Sequence, residues 1–129
     1  MLFIDVDNFK EINDTYGHSA GDMVLSETGE IFRRWARQTD ICCRYGGEEF
    51  AVILPDTGLE DGKLACERLR KMVGEHLFEY EASQFKVTIS IGVAEYSGSQ
   101  DQSPRDLVKR ADEALYRAKN EGRNRVCGL

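Results

Sequence analysis

No apolar run in this chain approaches the ~20 residues that a helix needs to cross a bilayer, so nothing in it reads as a membrane span. Asp5 and Asp7 interrupt the apolar stretch at the N-terminus, which excludes a signal peptide. Basic residues are in deficit, with 17 Lys and Arg against 23 Asp and Glu and a formal net charge of -6. An acidic chain of this kind argues against a general nucleic-acid coat. Neither nucleic acid nor a membrane is expected as a partner of this domain. Cysteines number four, with no C-x-x-C pair and no His in ligand spacing, which argues against a zinc site. Cys42 and Cys43 are neighbours in a strand and point to opposite faces. All four, with Cys66 and Cys127, read as reduced small apolar residues of a cytoplasmic protein. Neither His18 nor His76 has a nucleophile or haem pattern around it, and His18 reads as structural. There is no internal repeat, low-complexity stretch or interdomain linker.

What is present is a folded composition, 41% apolar and 31% charged over 129 residues. That length fits one domain. It can bury roughly 65% of its unfolded surface without a disulfide or metal staple. Charge is uneven: residues 1–102 carry 10 basic and 19 acidic groups, residues 103–129 carry 7 basic and 4 acidic. An acidic body thus ends in a basic segment, either a solvated helix face or a phosphate clamp opposite a carboxylate site.

Along the chain, Met1 to Val6 reads as a strand. Asp7 to Asn13 reads as a short helix capped by Asp7 or Asn8. Tyr16 to Gly21 reads as a loop, and a helix runs from Asp22 to about Arg37 with Val24, Thr28, Ile31 and Trp35 on one face. Ile41 to Tyr45 and Glu48 to Leu54 form a hairpin about a Gly46-Gly47 turn. After the break at Pro55 to Gly58, a second long helix reaches about His76 with Ala65, Leu69, Met72 and Val73 inward. Phe85 to Ala94 reads as one strand with Val87, Ile89 and Ile91 on one face, and Ser97 to Gln102 as a polar loop. Ser103 and Pro104 are an N-cap and N1 pair. They open a helix with Leu107, Ala111, Ala114, Leu115 and Ala118 inward, which Gly122 ends. A short strand closes at Cys127. The order β-α-α-β-β-α-β-α-β predicts an α+β sandwich of the ferredoxin-like kind, a mostly antiparallel sheet covered by helices.

Two adjacent acids, Glu48 and Glu49, follow a glycine pair that lets a backbone approach closely. Asp5 ends the first strand, which lies beside the hairpin in such a fold. A carboxylate from each makes an oxygen-ligand site suited to Mg2+. The plain alternative for Asp5 and Asp7 is helix capping, and for Asp7 capping is the favoured reading.

Arg44-Tyr-Gly-Gly-Glu-Glu-Phe50 resembles the signature of the GGDEF family, the diguanylate cyclases, in its GGEEF form. Phe3-Ile-Asp-Val-Asp-Asn-Phe-Lys-Glu-Ile-Asn-Asp-Thr-Tyr-Gly-His18 is similar to the family's metal and base-binding stretch, and Gly21-Asp22 follows at the expected place. Ala111 to Lys119 with Gly122-Arg-Asn124 resembles its closing helix. Four motifs in order span nearly the whole chain.

The resemblance implies a nucleotide-cyclase-type fold and the condensation of two GTP into cyclic di-GMP, across a homodimer, with release of two pyrophosphates. It implies two metal ions per active site, Mg2+ or Mn2+, held by Asp5, Glu48 and the backbone carbonyl of Val6. Glu49 is then a further metal or nucleotide-loop contact. Gly46, Gly47 and Phe9 border the GTP, and Asn13 and Asp22 read its guanine. A carboxylate at Asp22 accepts from the N1–H and 2-amino group together, a donor pair adenine lacks. The plain alternatives are a helix C-cap for Asn13 and an N-cap for Asp22. Lys119 and Arg123, four apart near the end of the last helix, face the same side and clamp phosphates. The helix dipole alone favours cations there by about 0.3–1 kcal/mol. Lys10 and Arg44 are further cations for transition-state charge. Arg37 and Asp40, in a stretch that ends with five residues between it and Gly46, match the family's R-x-x-D inhibitory site for cyclic di-GMP, with Arg68 from a neighbouring chain as a partner. The alternative is an exposed helix-end salt bridge worth under ~1 kcal/mol. A silent GTP-binding or cyclic di-GMP-binding module is the competing function. The family's domain usually opens with a helix and a D-x-L-T segment. A chain starting at the strand is therefore expected to be a single GGDEF domain, residues 1–129, truncated at its N-terminus, with a sensor domain upstream.

Overall fold

All five residues of β1, Leu2–Val6, are buried, although only four of them are apolar. The reason is position: β1 is the central strand of a five-stranded sheet and both of its faces are covered. The computed structural model describes residues 1–129. The other elements are α1 (Phe9–Tyr16), α2 (His18–Trp35), β2 (Ile41–Gly46), β3 (Glu49–Ile53) and α3 (Leu59–Glu75). They are followed by β4 (Phe78–Tyr80), β5 (Ser83–Phe85), β6 (Ile89–Val93), α4 (Pro104–Asn120) and β7 (Val126–Gly128). The sheet runs β2-β3-β1-β6-β7, antiparallel throughout except for the parallel pair β6–β7. The expected α+β sandwich is what the chain forms.

Strand alternation divides the interior. Leu2, Ile4 and Val6 face one side with Phe50, Val52, Ile89 and Ile91, packed against Val24, Ile31 and Phe32 of α2 and Leu69 and Val73 of α3. Phe3, Ala51 and Ala94 face the other side against Ala111 and Leu115 of α4. The first core holds 19 buried residues and the second 5. Each large side chain contributes about 1.5–3 kcal/mol on burial, so the α2/α3 face carries most of the stability. The thin α4 face depends instead on close approach. Gly92 lies opposite Phe3, and a Cβ there would meet the Leu115 backbone nitrogen at 2.2 Å and the Ala111 carbonyl at 2.3 Å.

Several boundaries differ from expectation. Only Gly17, at φ 94, separates α1 from α2, so the Tyr16 to Gly21 loop is mostly helix. Neither Asp7 nor Asn8 caps α1 with its side chain, and Asn8 sits at φ 55. The strand expected over Phe85 to Ala94 is two. Phe78 and Phe85 pair across a separate small hairpin, β4–β5, turned at Glu81 with φ 53, and only Ile89–Val93 joins the main sheet. Phe85 stacks on Tyr16, which anchors that hairpin to α1. Cys66 and Cys127 are buried as small apolar residues, and burial pushes the Cys66 thiol up to about 12. Cys42 and Cys43 are both exposed, because β2 is the sheet edge. The Ser97 to Gln102 loop holds a buried acid. Asp101 pairs with Arg110 at 2.5 Å and accepts the Ser97 N–H at 2.8 Å, and Arg110 holds its carboxyl below the usual range.

At the α4 C-terminus, Gly122 at φ 122 closes the helix. Arg123 N–H donates to the Ala118 carbonyl at 3.0 Å and Gly122 N–H to that of Lys119 at 3.4 Å, a Schellman motif. Arg123 therefore lies past the helix, in a left-handed turn, and does not share a helical face with Lys119 as the four-residue spacing suggests.

Gly92→Ala is expected to destabilise the chain by at least about 2 kcal/mol, since helix backbone cannot move aside as a side chain does. Chemical denaturation measures it, and a loss under half of that means α4 approaches less closely.

Candidate active site

The alternation that sends Leu2, Ile4 and Val6 into the main core sends Asp5 to the α4 face. Asp5 stands opposite Glu49 on β3 and Ser90 on β6. The Val6 N–H donates to the Glu48 carbonyl at 3.2 Å, which ties the hairpin tip to the end of β1. The turn itself is displaced by one residue from the expected Gly46-Gly47. Gly46 pairs with Glu49, a bulge falls between Arg44 and Gly46, and Gly47 with Glu48 makes the bend, Gly47 at φ 46. Arg44 Nε donates to the Gly47 carbonyl at 2.9 Å and so braces this turn. Three carboxyl-bearing residues thus converge on the end of β1.

One cation reaches them. Lys119 Nζ lies 2.8 Å from Asp5 Oδ2. Burial pushes the Asp5 carboxyl above its ordinary value, Lys119 opposes this through a hydrogen bond and its charge, and Glu48 and Glu49 add to the rise. The balance describes an acidic, partly desolvated pocket that seeks positive charge. No three His, Cys, Asp or Glu side chains stand together as a preformed metal cage. Asp5, Glu48 and the Val6 carbonyl are nevertheless hard oxygen donors of the kind divalent cations take.

The plain alternatives for Asn13 and Asp22 do not hold. Asn13 lies within α1 and Asp22 in the second turn of α2, so neither is a cap. A Cβ on Gly21 would fall 1.9 Å from Asn13 Oδ1 and 3.1 Å from Phe9 Cζ, so the glycine makes room for both side chains. Asn13 Oδ1 is buried with no hydrogen-bond partner. An orphaned polar atom of this sort costs about 1–3 kcal/mol. Lys10 is exposed on the first turn of α1 and makes no ion pair.

Arg37 and Asp40 lie apart from this cluster, past the end of α2. Asp40 Oδ2 accepts the Arg37 N–H at 2.7 Å, and Arg37 Nη2 donates to Asp40 Oδ1 at 2.8 Å, to Thr57 at 2.9 Å and to the Pro55 carbonyl at 3.2 Å. Although burial pulls the other way, Arg37 holds the Asp40 carboxyl below its ordinary value. The helix-end ion pair is therefore present, within a groove of about 350 Å³ that Arg68 also lines. Arg68 reaches it from the same chain, not only from a neighbour.

The surroundings of Asp7 are not legible in the sequence. The residue is 4% exposed and caps nothing. Its carboxylate accepts from Thr88 Oγ1 at 2.7 Å, Ser90 Oγ at 2.6 Å and the Asn124 N–H at 3.0 Å. The available signal was its i+2 spacing from Asp5.

A mixed five-stranded sheet covered by helices on both faces, with Asp5 and the Glu48-Glu49 tip at the end of its central strand, is the frame of a nucleotide-cyclase-type domain. The family described as "Diguanylate cyclase, GGDEF domain" matches residues 1–125. The chain belongs to the GGDEF family. It is 48% identical over 126 residues to "Diguanylate cyclase A" of Treponema denticola, covering 98% of this chain and 34% of that protein. It is 49% identical over 129 residues to "Response regulator PleD" of Caulobacter vibrioides, covering 98% of this chain and 28% of that protein. The chain thus spans about a third of the length of these curated relatives. Among solved structures, the GGDEF domain of DgcB from Caulobacter crescentus in complex with c-di-GMP superposes with a TM-score of 0.92 at 35% identity, over 98% of this chain and 75% of that one. The active GGEEF domain of a diguanylate cyclase from Vibrio cholerae gives 0.90 at 37% identity, over 98% and 80%.

Lys119→Met leaves the buried Asp5 carboxylate without its partner. The expected loss at neutral pH is about 1–3 kcal/mol, measured by denaturation. An unchanged stability means the pair is solvated and weak.

Proposed function

We propose that this chain is the catalytic domain of a diguanylate cyclase that condenses two GTP into cyclic di-GMP. The observation that carries the reading is the meeting of Asp5, Glu48 and Glu49 at the end of β1 under the Lys119 ammonium, with Asn13 unpaired nearby. In each half-reaction a 3′-oxygen forms a bond to the α-phosphorus of the other GTP, the bond to the β-phosphate oxygen breaks, and pyrophosphate leaves. The proton of the hydroxyl passes to solvent. Asp5 and Glu48, with the Val6 carbonyl, would hold the divalent metal, Mg2+ or Mn2+, two ions per site. Metal bound there activates the attacking oxygen and neutralises the leaving one.

The chain's own groups bind and orient. Asn13 and Asp22 take the guanine edge, with Phe9 against the base and the Gly46-Gly47 backbone leaving room for phosphate. Lys119 holds the place of a cation on Asp5 in the resting state. With a divalent metal on Asp5, Lys119 would be free to bind the phosphates beside Arg123. Lys10 and Arg44 are the remaining cations at the rim, Arg44 chiefly as the brace of the turn. One chain offers one GTP site, so the product requires two chains face to face. Retention of both signature acids, Glu48 and Glu49, favours this over a silent binding module. A GTP-using domain of this kind works in the cytoplasm. The relatives extend well beyond the part this chain matches, which supports a sensor domain joined to it.

The groove of Arg37, Asp40 and Arg68 is the proposed inhibitory site for cyclic di-GMP. A guanine fits its chemistry, Arg on O6 and N7 and Asp on the N1 and N2 donors. Arg37 Nε and Nη2 are already engaged by Asp40, so product must exchange one of these bonds.

Chromatography of nucleotides after incubation with GTP and Mg2+ tests the reading. Cyclic di-GMP is expected to form at a rate steeper than linear in protein, and Glu48→Ala is expected to abolish it with the fold intact. Product formed by that variant at the parent rate overturns the metal assignment. Arg37→Ala is expected to keep synthesis and relieve product inhibition, while unchanged inhibition places the allosteric site elsewhere.

A further inference from the structure

We infer that Asp7 is a positioning residue that locks the turn carrying Arg123 against the triphosphate, a reading that rests on the GTP site proposed above. Asp7 follows Asp5 by two residues and is 4% exposed, yet it forms no ion pair. Its three partners are all neutral: the hydroxyls of Thr88 and Ser90 and the backbone N–H of Asn124. A buried carboxylate is costly to keep without a cation, and a capping role does not account for it.

What it holds is unusual. Arg123 at φ 64 and Asn124 at φ 45 are consecutive non-glycine residues in the left-handed region. Each such residue is strained, and two in a row persist only where the surroundings fix them. Three fixings are present. Gly122 closes the helix on one side, Arg70 Nη1 donates to Asn124 Oδ1 at 2.9 Å on another, and Asp7 takes the Asn124 N–H from beneath. Asp7 itself is set by β6, its own N–H donating to the Thr88 carbonyl at 2.9 Å. Asp7 therefore couples the edge of the catalytic sheet to the loop after α4. Asp5 takes the side chain of Lys119 from that helix, and Asp7 takes the backbone of the turn five residues on. The two acids of one strand end fix both phosphate-binding cations. Sequence placed Arg123 on the helix face. The structure puts it on this strapped turn, where its direction depends on Asp7.

Calorimetric titration of the full chain in Mg2+ tests this with two probes: 3′-deoxy-GTP, which lacks the attacking hydroxyl and cannot turn over, and GMP, which lacks the outer phosphates. Asp7→Ala removes the acceptor of all three donors, the Asn124 N–H among them. It is expected to weaken 3′-deoxy-GTP about tenfold, the scale of one charged contact, and to leave GMP unchanged. Arg123→Ala is expected to do the same, and the double variant to bind no worse than either single one. Thr88→Val, which removes one support of Asp7 and endangers folding less, is expected to give a smaller loss of the same kind. Equal weakening of both probes, or additive losses in the double variant, overturns the inference. A parent chain that binds 3′-deoxy-GTP no better than GMP overturns the reading of the phosphate site itself, and this inference with it.

Discussion

The contact on which the rest depends is the backbone of α4 lying on Gly92. A helix normally stands off a sheet by the depth of its side chains. Here a missing Cβ on β6 and the small Ala111 and Ala114 on α4 let the two backbones nearly touch. The depth of that contact sets where the helix ends relative to the strand ends. Because α4 lies so low, Lys119 reaches Asp5 at 2.8 Å, and the turn after it reaches Asp7. A side chain at position 92 would lift the helix and separate cations from acids before it disturbed anything in the larger core. The thin layer of 5 buried residues is thus the functional one, while the 19 on the opposite face hold the domain together.

Electrostatics in the site follow from the same placement. Burial raises the cost of the Asp5 charge, Lys119 relieves it, and the charges of Glu48 and Glu49 add to it. Asp7 stands two residues away under different rules. It is held by neutral donors, one of them the backbone of the turn that follows α4.

Much of this was legible in order along the chain. Apolar spacing gave α2, α3 and α4, the Ser103-Pro104 start and the Gly122 stop. The motif from Arg44 to Phe50 gave the hairpin, and the family resemblance gave its chemistry. Local patterns blurred where partners far along the chain decided. The Phe85 to Ala94 run broke because Phe85 pairs with Phe78 and stacks on Tyr16, and α2 began early because one glycine sufficed to bend the chain. Cys42 and Cys43 look like core residues, and β2 is exposed because little packs on it besides β3, whereas the other edge strand, β7, lies against α3 and α4.

The sequence by itself determined the family, the element types and the residues that carry charge to the site, since composition, periodicity and motif spacing are local properties. Tertiary structure decided what those charges do. Asp7 reads as a helix cap in the chain and becomes a buried strap, because Thr88, Ser90 and Asn124 lie 81 to 117 residues away and only the sheet brings them to it. Arg123 reads as a helix-face residue and becomes a left-handed turn residue, because the helix must end where the sheet holds the chain that follows.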